Sequence, residues 1–167
     1  MSKHIHVLYL SDANYAAFAG VSVVSLFENN KSFDEIDVWL IDDDLGDENR
    51  KKFKEAADAY GRRVHFLDMS EGIRKLEAIG APKYRNSYTT YLKLFAFGLL
   101  PPEVDRIFFI DSDSVVTGDL SALPDFDMHT FKTFGTSCLR SANASYYFRS
   151  FRCFARCRLN RHDHELV

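Results

Sequence analysis

Two patterns of apolar and polar residues alternate along the first two thirds of the chain. Short apolar runs rich in β-branched and aromatic residues predict strands at 4–10, 36–41, 64–67 and 106–110. Between them, apolar residues recur at helical spacing and predict helices at 15–28, 47–60, 70–79 and 88–100. Because strands alternate with helices, we expect right-handed β-α-β crossovers and a mainly parallel sheet flanked by helices, an α/β fold.

Residues at the ends of these segments support the predicted boundaries. Gly61 and Gly80 follow the second and third helices, and Pro101 stops the fourth. The first helix is apolar almost all round, which predicts burial against the sheet. With 167 residues the chain fits one domain and can bury a proper core.

The pattern stops after residue 127. From Lys132 onward 7 basic residues stand beside 2 acidic ones, and all 3 cysteines lie in this stretch. Scattered aromatic and basic residues could form a surface for nucleic acid or membrane. Because periodicity, charge and cysteine use change together, we favour an atypical basic Cys/Phe-rich tail at 128–167 that is disordered or out of frame. Zinc binding by its cysteines and histidines is disfavoured, because their spacing fits no well-attested zinc site.

Charge and hydropathy limit which partners and which cellular compartment are expected for this chain. A net charge of −3 argues neither for nucleic acid nor for an anionic membrane surface. No apolar stretch is long enough to span a bilayer, and the first residues lead into a strand instead of a signal peptide. The expected location is the cytoplasm, free or peripheral at the inner face of the membrane. An odd number of cysteines there argues against a disulfide framework.

The segment Asp111-Ser112-Asp113 follows the apolar run 107–110 directly. Residues two apart on a strand share a face, so the two carboxylates can point the same way where the strand ends. The carboxyl ends of strands are where α/β sheets bind ligands. Hard oxygen ligands suit Mg²⁺ or Mn²⁺, which bridge phosphate oxygens. The alternative is an ordinary polar turn.

Four segments, read together, resemble the donor-binding half of glycosyltransferase family 8. They are 10–17, 89–94, 106–113 with its Asp-x-Asp motif, and 115–120, and their order and spacing agree with the family over about residues 4–125. Members are retaining enzymes, similar to bacterial lipopolysaccharide galactosyl- and glucosyltransferases and to glycogenin. The resemblance implies a GT-A fold, a Rossmann-like, mainly parallel sheet, which is apparently truncated here. Residues 1–127 would form the donor-nucleotide-binding region.

The resemblance also implies a role for individual residues. Asp12 and Asn14 would hydrogen-bond the uracil of a UDP-sugar, with Tyr15 against the face of the base. The full donor-binding set is Leu10, Ser11, Asp12, Asn14, Tyr15, Lys93, Asp111 and Ser112. Two simpler interpretations remain open: the loop residues only cap the following helix or pack on the sheet, and Lys93 is a solvated helix lysine.

Metal and phosphate binding are implied in the same way. Lys93 would meet the donor phosphates as a compact positive charge. Asp111 and Asp113 would grip Mn²⁺, or Mg²⁺, which neutralises the charge on departing UDP. Ser112 is expected near the ribose. The catalytic residues are not assigned, because the family's acceptor-side segment and later metal-binding histidine have no match, and the surroundings of His129, His162 and His164 do not fit.

The expected function is therefore metal-dependent transfer of a hexose from a UDP-sugar to a glycan or lipid-linked glycan acceptor, with retention. Lipopolysaccharide biosynthesis follows by family analogy, and glucose and galactose are both compatible. One alternative is a truncated, inactive remnant that only binds nucleotide and metal. Another is a phosphohydrolase similar to the haloacid dehalogenases, in which Asp111 attacks phosphorus and Asp113 acts as acid and base. No nucleic-acid partner is expected.

Overall fold

Strands and helices alternate along the chain as the sequence predicts. The computed structural model describes residues 3–83, 88–125, 133–136 and 151–155. Its elements are β1 (His4–Ser11), α1 (Ala16–Asn29), β2 (Glu35–Asp42), α2 (Asp47–Ala59), β3 (Arg63–Asp68), α3 (Ser70–Ala78), α4 (Thr89–Leu99), β4 (Arg106–Ile110), β5 (Thr133–Thr136) and β6 (Phe151–Ala155). The predicted strands and helices up to β4 are confirmed, with each end within one residue of its predicted place. Gly61 and Gly80 adopt positive φ angles of 62° and 63° just beyond α2 and α3, which ends both helices.

One sheet carries all the described strands, in the order β3-β2-β1-β4-β6-β5. The four strands β3, β2, β1 and β4 run parallel to one another, which confirms the predicted mainly parallel sheet. β6 lies antiparallel to β4, and β5 antiparallel to β6. This pair comes from the stretch interpreted as an atypical tail. The division at residue 127 stays a prediction, and His129, Cys138, Cys157, His162 and His164 lie outside the described residues.

Apolar side chains cover both faces of the parallel sheet, as expected for strands buried on each side. On one face, residues such as Val7, Val38 and Phe108 pack with α1 and α2. On the other, Leu8 and Phe109 belong to a core with residues of α3 and α4. The result is a sheet between two layers of helices. Over the described ranges, no helix combines the length and apolar character needed to cross a bilayer.

The helix α1 is buried on one side only. Its inner face, which includes Val23, Leu26 and Phe27, is fully covered. On the outer face Phe18 is 59% exposed and Val21 60% exposed. The prediction that α1 packs on the sheet is therefore confirmed, and its outer face leaves large apolar side chains exposed. Apolar composition alone does not reveal that a single helical layer covers this face of the sheet.

Around Asp37, at the amino ends of the parallel strands, lies a polar group of side chains that we call the amino-end cluster: His4, His6, Asp37, Arg63 and His65. The buried Asp37 carboxylate contacts His4 Nε2 at 2.7 Å and His65 Nε2 at 2.8 Å, and accepts hydrogen bonds from Arg63 Nε at 2.7 Å and Nη2 at 2.9 Å. Burial by itself raises the pKa of Asp37, but the hydrogen bonds from His65, Arg63 and His4 outweigh it and lower the pKa to about 2.

His6 sits deeper in the amino-end cluster than His4. Its Nδ1 atom accepts a hydrogen bond of 3.3 Å from the indole nitrogen of Trp39. Burial, followed by the nearby His4 ring, lowers the pKa of His6 from 6.5 to about 4, although the carboxylates of Asp37 and Asp105 act in the opposite direction. The folded protein therefore holds His6 as the neutral imidazole at neutral pH.

We predict that His6 makes the protein less stable as the pH falls from about 6.5 to 4. In this window the unfolded chain binds a proton at His6 that the folded chain resists, so the free energy of unfolding decreases with falling pH. Asp37 does not contribute to the pH dependence in this range. Its pKa is lowered to about 2 in the folded protein, so the stability it provides is lost only as the pH falls below its ordinary pKa of 3.8. Urea unfolding of His6→Asn, which keeps an acceptor for Trp39, should show a weaker pH dependence than the parent chain. Because His4 and His65 remain in both proteins, parallel curves would contradict the prediction.

Candidate functional site

The carboxyl ends of β1 and β4 lie side by side at the centre of the sheet. Val7 pairs with Phe108 and Leu8 with Phe109, in parallel. After β1 the chain leaves through α1 to β2, which lies on the opposite side of β1 from β4. Connections that leave neighbouring strands in opposite directions open a crevice at the carboxyl edge, where α/β sheets bind ligands. The two motif-bearing loops, after β1 and after β4, both border this crevice.

A side-chain hydrogen bond joins the loop after β4 to the end of β1. The Ser112 hydroxyl donates to the backbone carbonyl of Leu10, across a sequence separation of 102 residues. Ser112 is 9% exposed and Leu10 is half-buried. This bond holds the Asp-x-Asp segment against the end of β1, so Asp111 and Asp113 lie beside the β1–α1 loop.

The two motif aspartates lie on a turn instead of on the strand. β4 ends at Ile110, and Ser114 N–H donates to the Asp111 carbonyl at 3.0 Å, closing a tight turn over 111–114. The alternation of a strand therefore does not extend to Asp113, and the argument that the two carboxylates share a strand face does not apply. Asp111 is half-buried and Asp113 is exposed. The turn fixes the backbone at both aspartates and leaves their side chains at the surface of the crevice.

The loop between β1 and α1 combines a hydrogen-bonded turn with an exposed aromatic ring. Asp12 Oδ1 accepts a hydrogen bond of 2.8 Å from the backbone N–H of Tyr15, the residue before α1, and so closes the turn over 12–15. No side-chain hydrogen bond caps α1 itself, so Asp12 is not its cap. The Ser11 side chain is buried and donates to the Asp12 carbonyl. Asn14 is exposed, and Tyr15 is 49% exposed with its ring 5.8 Å from that of Phe18. Tyr15 therefore does not pack as a buried contact on the sheet.

Lys93, on α4, reaches the same region from the other face of the sheet. Its ammonium lies 5.1 Å from the centroid of the Phe109 ring, and Phe109 precedes Asp111 by two residues. Such contacts stabilise a cation above an aromatic face. Lys93 is half-buried, so it is not the solvated helix lysine of the simpler interpretation.

Polar residues at the carboxyl end of α1 support the segment that follows the Asp-x-Asp turn. Ser25 Oγ accepts the N–H of Val116, and Asn29 Nδ2 donates to the carbonyl of the same residue at 2.9 Å. The fully buried Asn30 donates to Gly118 O at 3.3 Å and accepts from Leu120 N–H at 2.7 Å. These positioning residues were missed from the sequence. Two asparagines at a helix end look like an ordinary cap there, and their partners are about ninety residues away.

The acidic residues after β2 are used in local structure. Asp42 accepts from the N–H of Leu45 at 2.9 Å and from Arg50 Nε at 2.5 Å. Asp43 N–H donates to the carbonyl of Ser11 at 3.1 Å, which ties the end of β2 to the end of β1. Hydrogen bonding therefore commits the Asp42 carboxylate to the connection between β2 and α2.

The potential metal ligands of the crevice are oxygen atoms. Carboxylates such as those of Asp111 and Asp113 are the ligand type that Mg²⁺ and Mn²⁺ accept, so the residues present fit such an ion. Within the described parts of the chain, no third His, Cys, Asp or Glu completes a metal-binding group here, and the one such group of three lies in the amino-end cluster. The pair can therefore supply part of a coordination shell, with substrate oxygens and water as further ligands.

Solved structures share this arrangement of elements. The galactosyltransferase LgtC, solved in complex with donor and acceptor sugar analogues, superposes with a TM-score of 0.70 at 19% identity, over 90% of this chain and 58% of that one. The fold is that of the GT-A glycosyltransferases. This likeness is to a glycosyltransferase and gives no support to the alternative of a phosphohydrolase similar to the haloacid dehalogenases.

Sequence comparison identifies the family. The model of glycosyl transferase family 8 matches residues 6–155, and the chain belongs to this family. A lipopolysaccharide 1,2-glucosyltransferase of Escherichia coli K12 is 32% identical over 122 residues, which are 73% of this chain and 35% of that protein. General stress protein A of Bacillus subtilis 168 is 26% identical over 129 residues, 74% of this chain and 43% of that protein. The chain therefore spans less than half the length of these curated relatives.

We predict that Asn30→Ala destabilises the fold by about 1–3 kcal/mol, because Leu120 N–H would remain buried without its partner and the bond to Gly118 O would be lost. The matched control is Asn29→Ala. Asn29 is exposed and donates to Ser25 O and Val116 O, so its loss should cost less, about 0.5–1.5 kcal/mol. Urea unfolding followed by circular dichroism measures both. If Asn30→Ala costs no more than Asn29→Ala, the buried bonds of Asn30 add no further stability to the segment.

Proposed function

We propose that the crevice between β1 and β4 binds the nucleotide of a UDP-sugar together with a divalent cation, Mn²⁺ or Mg²⁺, and that the protein transfers the hexose to a glycan acceptor with retention. Family membership supports the class of reaction. The observation that carries the assignment of the site is the hydrogen bond from Ser112 to the Leu10 carbonyl. It holds the Asp-x-Asp turn against the end of β1, from which the loop to α1 begins.

The loop between β1 and α1 would bind the base of the nucleotide. The hydrogen bond from Tyr15 N–H to Asp12 fixes the backbone that carries the Tyr15 ring. An exposed aromatic face at a crevice can stack on a pyrimidine, and the exposed Asn14 amide offers both a donor and an acceptor to the edge of the base. Asp12 would accept from the base or ribose through its second oxygen. Closing the turn and binding the base are thus compatible roles of one side chain.

The pyrophosphate would lie between the Asp-x-Asp turn and α4. In a parallel β-α-β arrangement the helix runs back along the sheet, so the amino end of α4 lies near the carboxyl ends of the strands. The positive end of its dipole and the Lys93 ammonium both favour an anion there. Asp111 and Asp113 would hold the cation that shares the phosphate oxygens. When bound, this ion would act as a Lewis acid that stabilises the charge of departing UDP.

The proposed acceptor is a glycan or lipid-linked glycan, as the name of the lipopolysaccharide 1,2-glucosyltransferase suggests for that relative. An assay of turnover distinguishes an active transferase from a remnant that only binds nucleotide and metal. Release of UDP from UDP-glucose and UDP-galactose can be measured with water or simple sugars as acceptor. Metal-dependent release supports transferase chemistry in this chain, whereas binding without any release favours the remnant.

We predict that UDP binds only in the presence of Mn²⁺ or Mg²⁺ and that Asp111→Asn/Asp113→Asn abolishes this binding. Without these carboxylates the protein would lack the ligands that would hold the ion. Calorimetric titration of UDP with and without Mn²⁺ is the measurement. Asp58→Asn, at an exposed position of α2, is the control for loss of negative charge and should bind like the parent chain. Metal-independent binding, or no binding by a folded chain, would contradict the proposed site.

We predict that Lys93→Met weakens metal-dependent UDP binding by about tenfold to a hundredfold, the worth of a hydrogen bond to a charged group. Lys54→Met is a matched control, because Lys54 also lies over an aromatic ring, 5.8 Å from the centroid of Phe66. Its loss should leave the dissociation constant unchanged. If both variants bind UDP equally well, Lys93 does not contact the phosphates.

A further inference from the structure

The amino-end cluster holds a second group of ligand atoms, at the edge of the sheet opposite the nucleotide crevice. One nitrogen each of His4 and His6 and a carboxylate oxygen of Asp37 lie within 4.8 Å of one another. His4 Nε2 is 2.7 Å and His6 Nδ1 3.8 Å from Asp37 Oδ2. In a tetrahedral zinc site with bonds of about 2.1 Å, ligand atoms are about 3.4 Å apart. Small side-chain movements would therefore bring these three atoms to coordinating distances.

We propose that His4, His6 and Asp37 bind a divalent transition-metal ion of the Zn²⁺ type, separate from the cation of the nucleotide crevice. Two imidazole nitrogens and one carboxylate oxygen form a set that suits Zn²⁺, Co²⁺ or Ni²⁺, whereas Mg²⁺ prefers oxygen ligands alone. Three protein ligands leave the fourth position of a tetrahedral ion for water or another small ligand. This proposal does not depend on the proposed transferase function.

The surroundings of Asp37 orient its carboxylate for such a role. Oδ1 is held by His65 Nε2 at 2.8 Å and by Arg63 Nε at 2.7 Å, which leaves Oδ2 directed towards His4 and His6. Hydrogen bonds of this kind to metal-binding carboxylates fix the orientation of the ligand and tune its affinity. The Trp39 ring, stacked 4.2 Å from His65, in turn restrains that imidazole.

The Trp39 indole N–H, which donates to His6 Nδ1 at 3.3 Å, would have to yield that nitrogen to the metal ion. Arg63 is the competitor at Asp37 Oδ2. Its Nη2 atom donates to Asp37 Oδ2 at 2.9 Å and also to Glu35 Oε2 at 2.5 Å. Binding of an ion at Oδ2 would displace the first contact, and Glu35 would keep the guanidinium. The Arg63 side chain is 56% exposed, so this movement needs no rearrangement of the core.

A polar cavity gives the ion access. A cavity of about 360 Å³ borders His4 and His6, and Glu103 and Asp105 also line it. These carboxylates make the entrance attractive to cations. The Arg106 guanidinium, which also lines the cavity, donates to the Pro124 carbonyl at 2.5 Å. The cavity adjoins the two histidines, so an ion can reach them without unfolding of the sheet.

The test is titration of metal-free protein with Zn²⁺ by calorimetry, together with the visible spectrum of the Co²⁺ form. We expect Zn²⁺ binding at this site to weaken by at least about tenfold in His4→Gln/His6→Asn, with loss of the Co²⁺ bands that report imidazole ligands. Circular dichroism checks that the variant is folded. His4→Gln alone, at a side chain 34% exposed, provides a second reading if the double variant does not fold.

Three further variants decide between possible sites. Asp111→Asn/Asp113→Asn removes the crevice ligands, and His162→Gln/His164→Gln removes histidines of the last residues; both should leave this Zn²⁺ affinity unchanged. Arg63→Gln should bind Zn²⁺ more tightly, because the competitor is gone. The proposal is overturned if no Zn²⁺ binds up to about 1 mM, if binding is unaffected by the histidine substitutions, or if it disappears with the crevice or tail variants instead.

Discussion

The pairing of β4 with β1 is the contact on which the rest of the structure depends. β1 has a parallel partner on each side, β2 and β4, and its apolar residues are buried on both faces. This places two loops that are a hundred residues apart in the chain next to each other at the carboxyl edge. Without the pairing, neither the crevice nor the bond from Ser112 to Leu10 would exist. The two helical layers also cover a continuous sheet only because β4 closes against β1.

Small polar side chains hold the crevice in shape, while charged ones remain at its surface. Ser25, Asn30 and Ser112 bond to backbone groups of the segments around the crevice, and the bond to Leu120 N–H is fully buried. Each such bond contributes only about 0.5–1.5 kcal/mol, but leaving its partner unpaired costs more, so together they favour one loop conformation. Asp113 and Tyr15 are exposed beside this framework. A rigid backbone with exposed functional groups lowers the cost of ordering the site when a ligand binds.

The two edges of the sheet offer different chemistry. At the carboxyl edge, carboxylates on a turn lie near a lysine and the amino end of α4, a combination that suits a metal-bound phosphate. At the amino edge, imidazoles surround one buried carboxylate, a combination that suits a softer cation. Both follow from the same parallel arrangement, because helices that run back along the strands place their positive ends at one edge and their negative ends at the other.

The sequence by itself determined the elements and the class of fold. Apolar runs and helical spacing located β1 to β4 and the helices to within one residue, because these patterns express local burial. The Asp-x-Asp motif and the family resemblance likewise came from adjacent residues. Only the tertiary structure decided the strand order, the bonds from Asn30 to Gly118 and Leu120, and the meeting of His4, His6 and Asp37. Those features depend on contacts between residues far apart in the chain, for which local propensity and periodicity carry no information.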